Sequence, residues 1–288
     1  MNPGFDEAVR RIIEARTTLS VLDDLTGAAQ VATLEEAYRI QRAVTERWND
    51  RIAGWKVGAT AKQVQDLFGV SEPAFGPVFE KTVFQSPARV PARDFHHLML
   101  EVEIAFRFGK DLPSRSAPYS RKEILEAVDV LIPAFEIVSP RFRKLTVDRF
   151  PQVVADFCAN GGAILGTQVE NWRQIDLPAQ AVRLFLDGRL RQEGRGAAIL
   201  DDPINVLEWF VNKFSAQGRS VSRGEFVLTG TMTGIHSAAA SFRALDGRSG
   251  SVIEGAVSTR ASGRALRRGS ERGVGAGRGG VAAPVGAA

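Results

Sequence analysis

The sequence predicts an α+β fold, on three observations: helical spacing in the first fifty residues, capping signals that open isolated helices further on, and apolar strand-length runs between them. Residues 6–19 have apolar spacing suited to a helix. Thr33-x-x-Glu36 reads as a capping box opening a second helix to about Asn49, because the hydroxyl and the glutamate three residues on satisfy two orphan backbone donors reciprocally. Thr60-x-x-Gln63 has the same form and predicts a short helix through Leu67, and Ser120-x-x-Glu123 predicts another through about Val130. Asp202-Pro203 starts a longer helix, with Ile204, Leu207, Val211 and Phe214 near one face and Gly218 as the stop. Strands are expected over 99–108, 132–138, 182–186, 189–193 and 225–229, with Asp187-Gly188 as the hairpin turn. No internal repeat is apparent.

Composition excludes several classes. At 288 residues with 44% hydrophobic content, the chain has ample material for a core. It contains no 18-residue apolar stretch, so no membrane span is expected. The start, Met1 to Glu7, lacks a basic region followed by an apolar one and does not read as a signal peptide. Cys158 is the only cysteine, which excludes an internal disulfide and suits a cytoplasmic location. The formal charge is +4, yet residues 251–288 alone hold six arginines against two glutamates, so residues 1–250 sum to zero. That segment has no aromatic residue and nine of the 28 glycines. It therefore reads as a disordered appendage, with nucleic-acid binding the lesser reading.

Chemistry concentrates in one motif. Glu101 and Glu103, in Met99-Leu100-Glu101-Val102-Glu103-Ile104-Ala105-Phe106, lie two apart on a strand and share a face. Glu136 follows in a second apolar run, Ile132 to Val138. An alternating acid also fits a solvated strand face. In an apolar setting, however, three unpaired carboxylates cost several kcal/mol each or must protonate, and neither run supplies a Lys or Arg beside them. A cation answers both problems, and oxygen ligands alone favour Mg²⁺ or Mn²⁺ over zinc. Upstream, Gly54-Trp55-Lys56-Val57-Gly58 holds a lysine between glycines, a candidate acid or base. Burial would lower its pKa and a nearby anion would raise it. Downstream, Asp156 to Gly162 and Val227 to Gly234 form small-residue turns that let backbone N–H groups approach an anion.

The ordered set G-W-K-V-G, E-P-x-x-G, E-V-E-I-A-F, P-A-F-E-I-V, A-D-F-x-A-N-G and L-T-G-T resembles the 2-keto-4-pentenoate hydratase branch of the fumarylacetoacetate hydrolase superfamily, from about residue 34 to 247. Related groups are the 2-oxo-hept-3-enedioate hydratases and the 4-oxalocrotonate decarboxylases. The resemblance implies a rolled mixed β-sheet core with a helical N-terminal region, divided here into residues 1–53, a catalytic core at 54–247 and a tail at 248–288. It implies a divalent metal, Mg²⁺ or Mn²⁺, on Glu101, Glu103 and Glu136. It also implies catalytic roles for Lys56 and Asp156, and a substrate-carboxylate turn at Thr229, Gly230 and Thr231. The implied partner is a small 2-oxo or 2-hydroxydienoic acid, to which water adds, and relatives form homo-oligomers.

Two positions depart from the pattern. The motif E-P-D-[FY]-G has Ala74 at its acid, and D-N-A-S has Ala159 at its serine. Both remove polar groups from the expected pocket wall, which leaves a decarboxylase, tautomerase or hydrolase on the same metal site as alternatives. After Gly234, residues 235–247 read as truncated before the chain turns to Arg, Gly and Ala. A frame change in the coding sequence near residue 240 would produce this, and it predicts the loss of closing strands. Arg141 and Arg143 read as surface charge, His96 and His97 as surface, and Trp55 and Phe135 as core.

Overall fold

The N-terminal helices form as their spacing predicts: α1 (Pro3–Thr18) buries Ala8, Val9, Ile12 and Ala15, and α2 (Leu34–Arg47) buries Ala37, Ile40 and Val44. Two of the three expected capping boxes are made, Thr33 with Glu36 on α2 and Ser120 with Glu123 on α4 (Arg121–Ala127). The computed structural model describes residues 3–143, 149–246 and 252–258.

Behind the helices lies a mixed sheet of eight strands among the described residues, in the order β2-β1-β10-β5-β6-β7-β3, with β11 also on β5. Its members are β1 (Ile52–Gly58), β2 (Ala74–Phe79), β3 (Val83–Gln85), β5 (Met99–Phe108), β6 (Val128–Val138), β7 (Asn160–Leu165), β10 (Phe226–Thr231) and β11 (His236–Ser237). A second sheet runs β4-β13-β12-β8-β9, from β4 (Ala88–Pro91), β8 (Ala181–Leu186), β9 (Arg189–Arg195), β12 (Ser241–Asp246) and β13 (Val252–Ser258). Strand alternation gives the first sheet two different interiors. Val102, Ile104, Phe106, Phe135 and Ile137 face the main core, which also takes Phe210 and Phe214 from α6 (Pro203–Ala216). Phe135 meets Phe242 of β12 edge-on at 5.2 Å, joining the two sheets. The opposite face carries small residues, Ala105, Ala134 and Ala163, with Val78, Phe226 and Leu228. That face is where the glutamates project.

Several elements differ from the sequence reading for identifiable reasons. Helix α3 (Lys62–Phe68) starts at an Ala61 cap without side-chain bonding, because Thr60 is buried, gives its carbonyl to Leu200 N at 2.8 Å and faces Gly230. Strand β6 begins at Val128, directly after α4, so the expected helix end and strand start are both displaced. A short helix, α5 (Phe150–Ala155), and strands β2, β3, β4 and β7 fall where no element was assigned.

The expected loss of closing strands is overturned. Ser241–Asp246 pairs antiparallel with β8 and with Val252–Ser258, and the latter pairs parallel with β4. Phe242 and Ile253 are both 2% exposed in the main core. Strand β13 lies inside the range assigned to the tail, so the sheet runs past residue 248; the remaining tail from 259 lies outside the described residues. A chain ending at residue 247 is expected to lose about 5 °C or more in Tm, because it takes from β4 its strand partner and from β12 one of its two, and uncovers the Ile253 site. Circular dichroism melting checks this, and an unchanged Tm would exclude β13 from the core.

Candidate metal centre and active site

Pairing of β5 with β6 sets Glu101 directly opposite Glu136, while Glu103 lies opposite Ala134 one step along the same face. The carboxylates are 8%, 1% and 0% exposed for Glu101, Glu103 and Glu136, with one oxygen of each inside a 4.8 Å cluster. Two strands therefore gather the three acids named from sequence into one buried site. Burial, then the charge of Glu136, then that of Lys56 in the opposite sense, leave the Glu101 carboxyl raised to about 8, with a hydrogen bond to Glu136 adding to the rise. Burial and the charges of Glu136 and Glu101 hold Glu103 well above its ordinary range, against Lys56 and the Gly230 amide.

Lys56 enters from β1, whose Lys56 Cα is paired with Leu228 of β10. Its Nζ lies 3.1 Å from Glu136 Oε2 and donates to the Cys158 carbonyl at 3.1 Å. Burial alone would lower the Lys56 pKa, but Glu136, Glu101 and Glu103 outweigh it and leave it raised, so this lysine is cationic. Asn160 Nδ2 donates to Glu136 Oε1 at 3.0 Å. Gly230 N donates to Glu103 Oε2 at 2.7 Å from a register shift in β10, where φ is +104° and a Cβ would come within 1.9 Å of Thr60 Oγ1. Only glycine fits that position.

One cation faces three acids. Glu103 Oε1 is buried with no hydrogen-bond partner among the described residues, and Glu136 Oε2 has only the Lys56 ion pair. An all-oxygen donor set with a buried oxygen left over suits a hard divalent ion such as Mg²⁺ or Mn²⁺, which neutralises the excess charge. The residues present fit that group.

Asp156 is not in the carboxylate cluster. Its Oδ1 accepts from Arg16 Nε at 2.5 Å and its Oδ2 from Arg141 N at 3.0 Å. Between Asp156 and Asn160, three non-glycine residues, Phe157, Cys158 and Ala159, take positive φ of 55°, 52° and 60°. Each such residue costs about 1–2 kcal/mol, so surrounding contacts hold this turn. Gly76 packs on it, since a Cβ there would lie 2.2 Å from the Phe157 oxygen. In the late turn, Thr229 Oγ1 donates to Ile104 O at 2.8 Å, and Thr231 Oγ1 accepts from Thr233 N at 3.2 Å. Ala74 and Ala159, the two departures from the family pattern, are 0% and 5% exposed.

Arg141 corrects the surface reading. It is 4% exposed and bonds Ser139, whereas Arg143 is exposed and paired with Asp23 at 2.7 Å. His96 is exposed, and His236 Nε2 lies 2.8 Å from Thr233 O. The sequence reading missed Arg16 and the roles of Asn160 and the Cys158 carbonyl. The A-N-G-G run contained Asn160, but nothing local points to Arg16.

The fumarylacetoacetate (FAA) hydrolase C-terminal family model matches residues 52–280. A 2-keto-4-pentenoate hydratase of Paraburkholderia xenovorans (strain LB400) is 31% identical over 230 residues, covering 79% of this chain and 84% of the relative. A 2-hydroxyhexa-2,4-dienoate hydratase of Comamonas testosteroni is 30% identical over 239 residues, covering 81% and 89%. Among solved structures, 4-oxalocrotonate decarboxylase from Pseudomonas putida G7, complexed with magnesium and adipate, matches with TM-score 0.80 at 21% identity, covering 89% of this chain and 98% of that one. That likeness establishes the mixed-sheet fold with its N-terminal helices. No helix among the described residues is long and apolar enough to cross a membrane.

The cluster makes stability pH-dependent. A carboxyl raised in the folded state binds its proton more tightly there, so stability falls as pH climbs from the ordinary value of 4.5 through about 8 for Glu101, with Glu103 acting in the same direction. Lys56, raised from 10.5, keeps its contribution throughout that window. In EDTA, Tm is expected to drop by about 5 °C or more between pH 5.5 and 8.5, and Mg²⁺ is expected to flatten the drop. Differential scanning calorimetry reads both, and a pH-independent Tm in EDTA would contradict the buried cluster.

Proposed function

This chain belongs to the fumarylacetoacetate hydrolase family, and on that premise we propose that it is a metal-dependent hydratase that adds water to 2-hydroxypenta-2,4-dienoate to give 4-hydroxy-2-oxopentanoate. The observation that carries the reading is the buried triad of Glu101, Glu103 and Glu136 with Lys56 against it. The hydratase relatives support the substrate class.

A Mg²⁺ or Mn²⁺ ion on the triad would supply Lewis-acid stabilisation of the negative charge that develops on the keto oxygen of a 2-oxo acid. The chain's own residues do the rest. Lys56 Nζ, held between Glu136 and the Cys158 carbonyl, gives the proton that the terminal carbon of the dienol takes up and regains one as the 2-hydroxyl loses its own, which leaves the conjugated ketone. Water then adds across the double bond of that ketone, hydroxyl to C4 and hydrogen to C3. Asn160 and the Gly230 amide fix Glu136 and Glu103 in place. The turn Thr229, Gly230 and Thr231 bounds the carboxylate end of the substrate, and Asp156 acts through the strained turn that it anchors. A homo-oligomer, as the resemblance implies, and a cytoplasmic location, which the single cysteine suits, belong to the same reading.

A second reading has its own observation. Ala74 and Ala159 are buried and put no polar group at two positions where the resemblance expects one on the pocket wall, which suits a step that needs no water, such as decarboxylation of a 4-oxalocrotonate-type dicarboxylate. A third, nucleic-acid binding through the basic tail, concerns residues outside the described ones.

Ultraviolet absorbance of 2-hydroxypenta-2,4-dienoate, with and without Mg²⁺, tests the proposal. Consumption is expected only with metal, with 4-hydroxy-2-oxopentanoate as product, and Glu103→Gln is expected to lower the rate about 100-fold or more. No turnover by a protein that binds Mg²⁺, together with CO₂ release from the dicarboxylate, would replace hydration by decarboxylation.

A further inference from the structure

The left-handed turn Phe157–Ala159 supplies the Cys158 carbonyl to Lys56, and the residue that follows it, Asn160, supplies its amide to Glu136. Both contacts depend on a backbone conformation that three side-chain-bearing residues resist. Something must hold the two ends of that turn. Among the described residues no side chain from the middle of the sheet does so; the guanidinium of Arg16, near the end of α1, reaches both.

We propose that Arg16 is a positioning residue of the active site, clamping the turn and thereby setting Lys56 and Glu136. Its Nη2 donates to the Asp156 carbonyl at 2.7 Å and its Nη1 to the Asn160 carbonyl at 3.0 Å, so it spans the turn from the residue before it to the residue after it. Its Nε bonds the Asp156 carboxylate, and its plane lies over the Phe157 ring at 4.2 Å. Arg16 is 9% exposed and Asp156 1%, so the pair is shielded from water. The turn also has the Ala159 N to Asp156 O bond at 2.9 Å and the Ser139 N to Ala159 O bond at 2.8 Å. With the Asn160 N to Phe157 O bond, the first of these closes the turn internally, but none of them ties Asp156 to Asn160 as the guanidinium does. A planar fork with three donors engaged at once is something lysine cannot reproduce.

The clamp also places part of the active site's support outside the region that matches the family model, which begins at residue 52. The N-terminal helix is then not only a cover over the sheet. It carries the donor that fixes the geometry around Glu136. The clamp itself is independent of the metal reading, whereas its consequence for metal affinity rests on the proposed function.

Cys158 is the only cysteine, is 5% exposed and sits at the centre of the turn, so its reaction with 5,5′-dithiobis(2-nitrobenzoate) reports turn opening without metal or substrate. The full chain is compared as wild type, Arg16→Lys and Val9→Ala, the last a fully buried α1 position seven residues before Arg16 that loosens helix docking without removing the guanidinium. Arg16→Lys is expected to label about 10-fold or more faster than Val9→Ala, because local opening exceeds what general loosening allows. Mn²⁺ affinity, read by electron paramagnetic resonance, is expected to weaken about 10-fold in Arg16→Lys and to hold in Val9→Ala. Labelling no faster than in Val9→Ala overturns the clamp, and faster labelling with unchanged Mn²⁺ affinity overturns its link to Glu136. A wild type that binds no Mn²⁺ while the labelling contrast persists leaves the clamp standing and removes the metal reading. Arg16→Gln gives the same comparison where Arg16→Lys does not fold.

Discussion

The structure turns on one electrostatic constraint: three carboxylates from two paired strands share a buried face with, among the described residues, a single lysine. Repulsion and desolvation both oppose ionisation there, as the raised carboxyls of Glu101 and Glu103 record. The surrounding donors are placed to manage it. Asn160 and Gly230 N each satisfy one carboxylate oxygen, Lys56 supplies one positive charge, and a buried oxygen on Glu103 is left without a partner. A divalent cation is the remaining group that such a set can accommodate, and small residues, Ala105, Ala134 and Ala163, share this face with the glutamates.

Donors around the site are held by backbone conformations that few residues adopt. Gly230 delivers its amide to Glu103 at φ +104°, in a place where any side chain would strike Thr60. The turn at 157–159 delivers a carbonyl to Lys56 from three consecutive left-handed residues. Such strain persists only where neighbours over-determine it, and here the neighbours are Gly76, Ser139 and the guanidinium of Arg16. The helical N-terminal region and the sheet are thus mechanically joined at the point where the chemistry is proposed to occur.

Features written in local patterns were legible from the sequence. The strand 99–108, the capping boxes at Thr33 and Ser120 and the helix started by Asp202-Pro203 all stand where their spacing put them, because each is decided by neighbours in the chain. The i, i+2 rule put Glu101 and Glu103 on one face, and the pairing of β6 brought Glu136 across to them. What local pattern could not show was long-range partnership. Arg16 and Asp156 are 140 residues apart, so nothing near the aspartate in sequence showed that it sits in an ion pair with α1. Arg141 read as surface because the bond from its backbone N to Asp156, fifteen residues on, leaves no local mark. Thr60 lost its cap role to contacts with Leu200 and Gly230. Strands β12 and β13 were missed because the composition after residue 240 masks alternation, which Phe242, Ala244 and Ile253 nonetheless carry into the core.

The most direct measurement is an anomalous difference map from crystals of the full chain grown with Mn²⁺. A single peak enclosed by the carboxylate oxygens of Glu101, Glu103 and Glu136, with Lys56 adjacent, is the predicted result. Well-ordered glutamates with no peak between them, or with Mn²⁺ bound only elsewhere, would contradict the claim that this buried acid cluster is a metal centre.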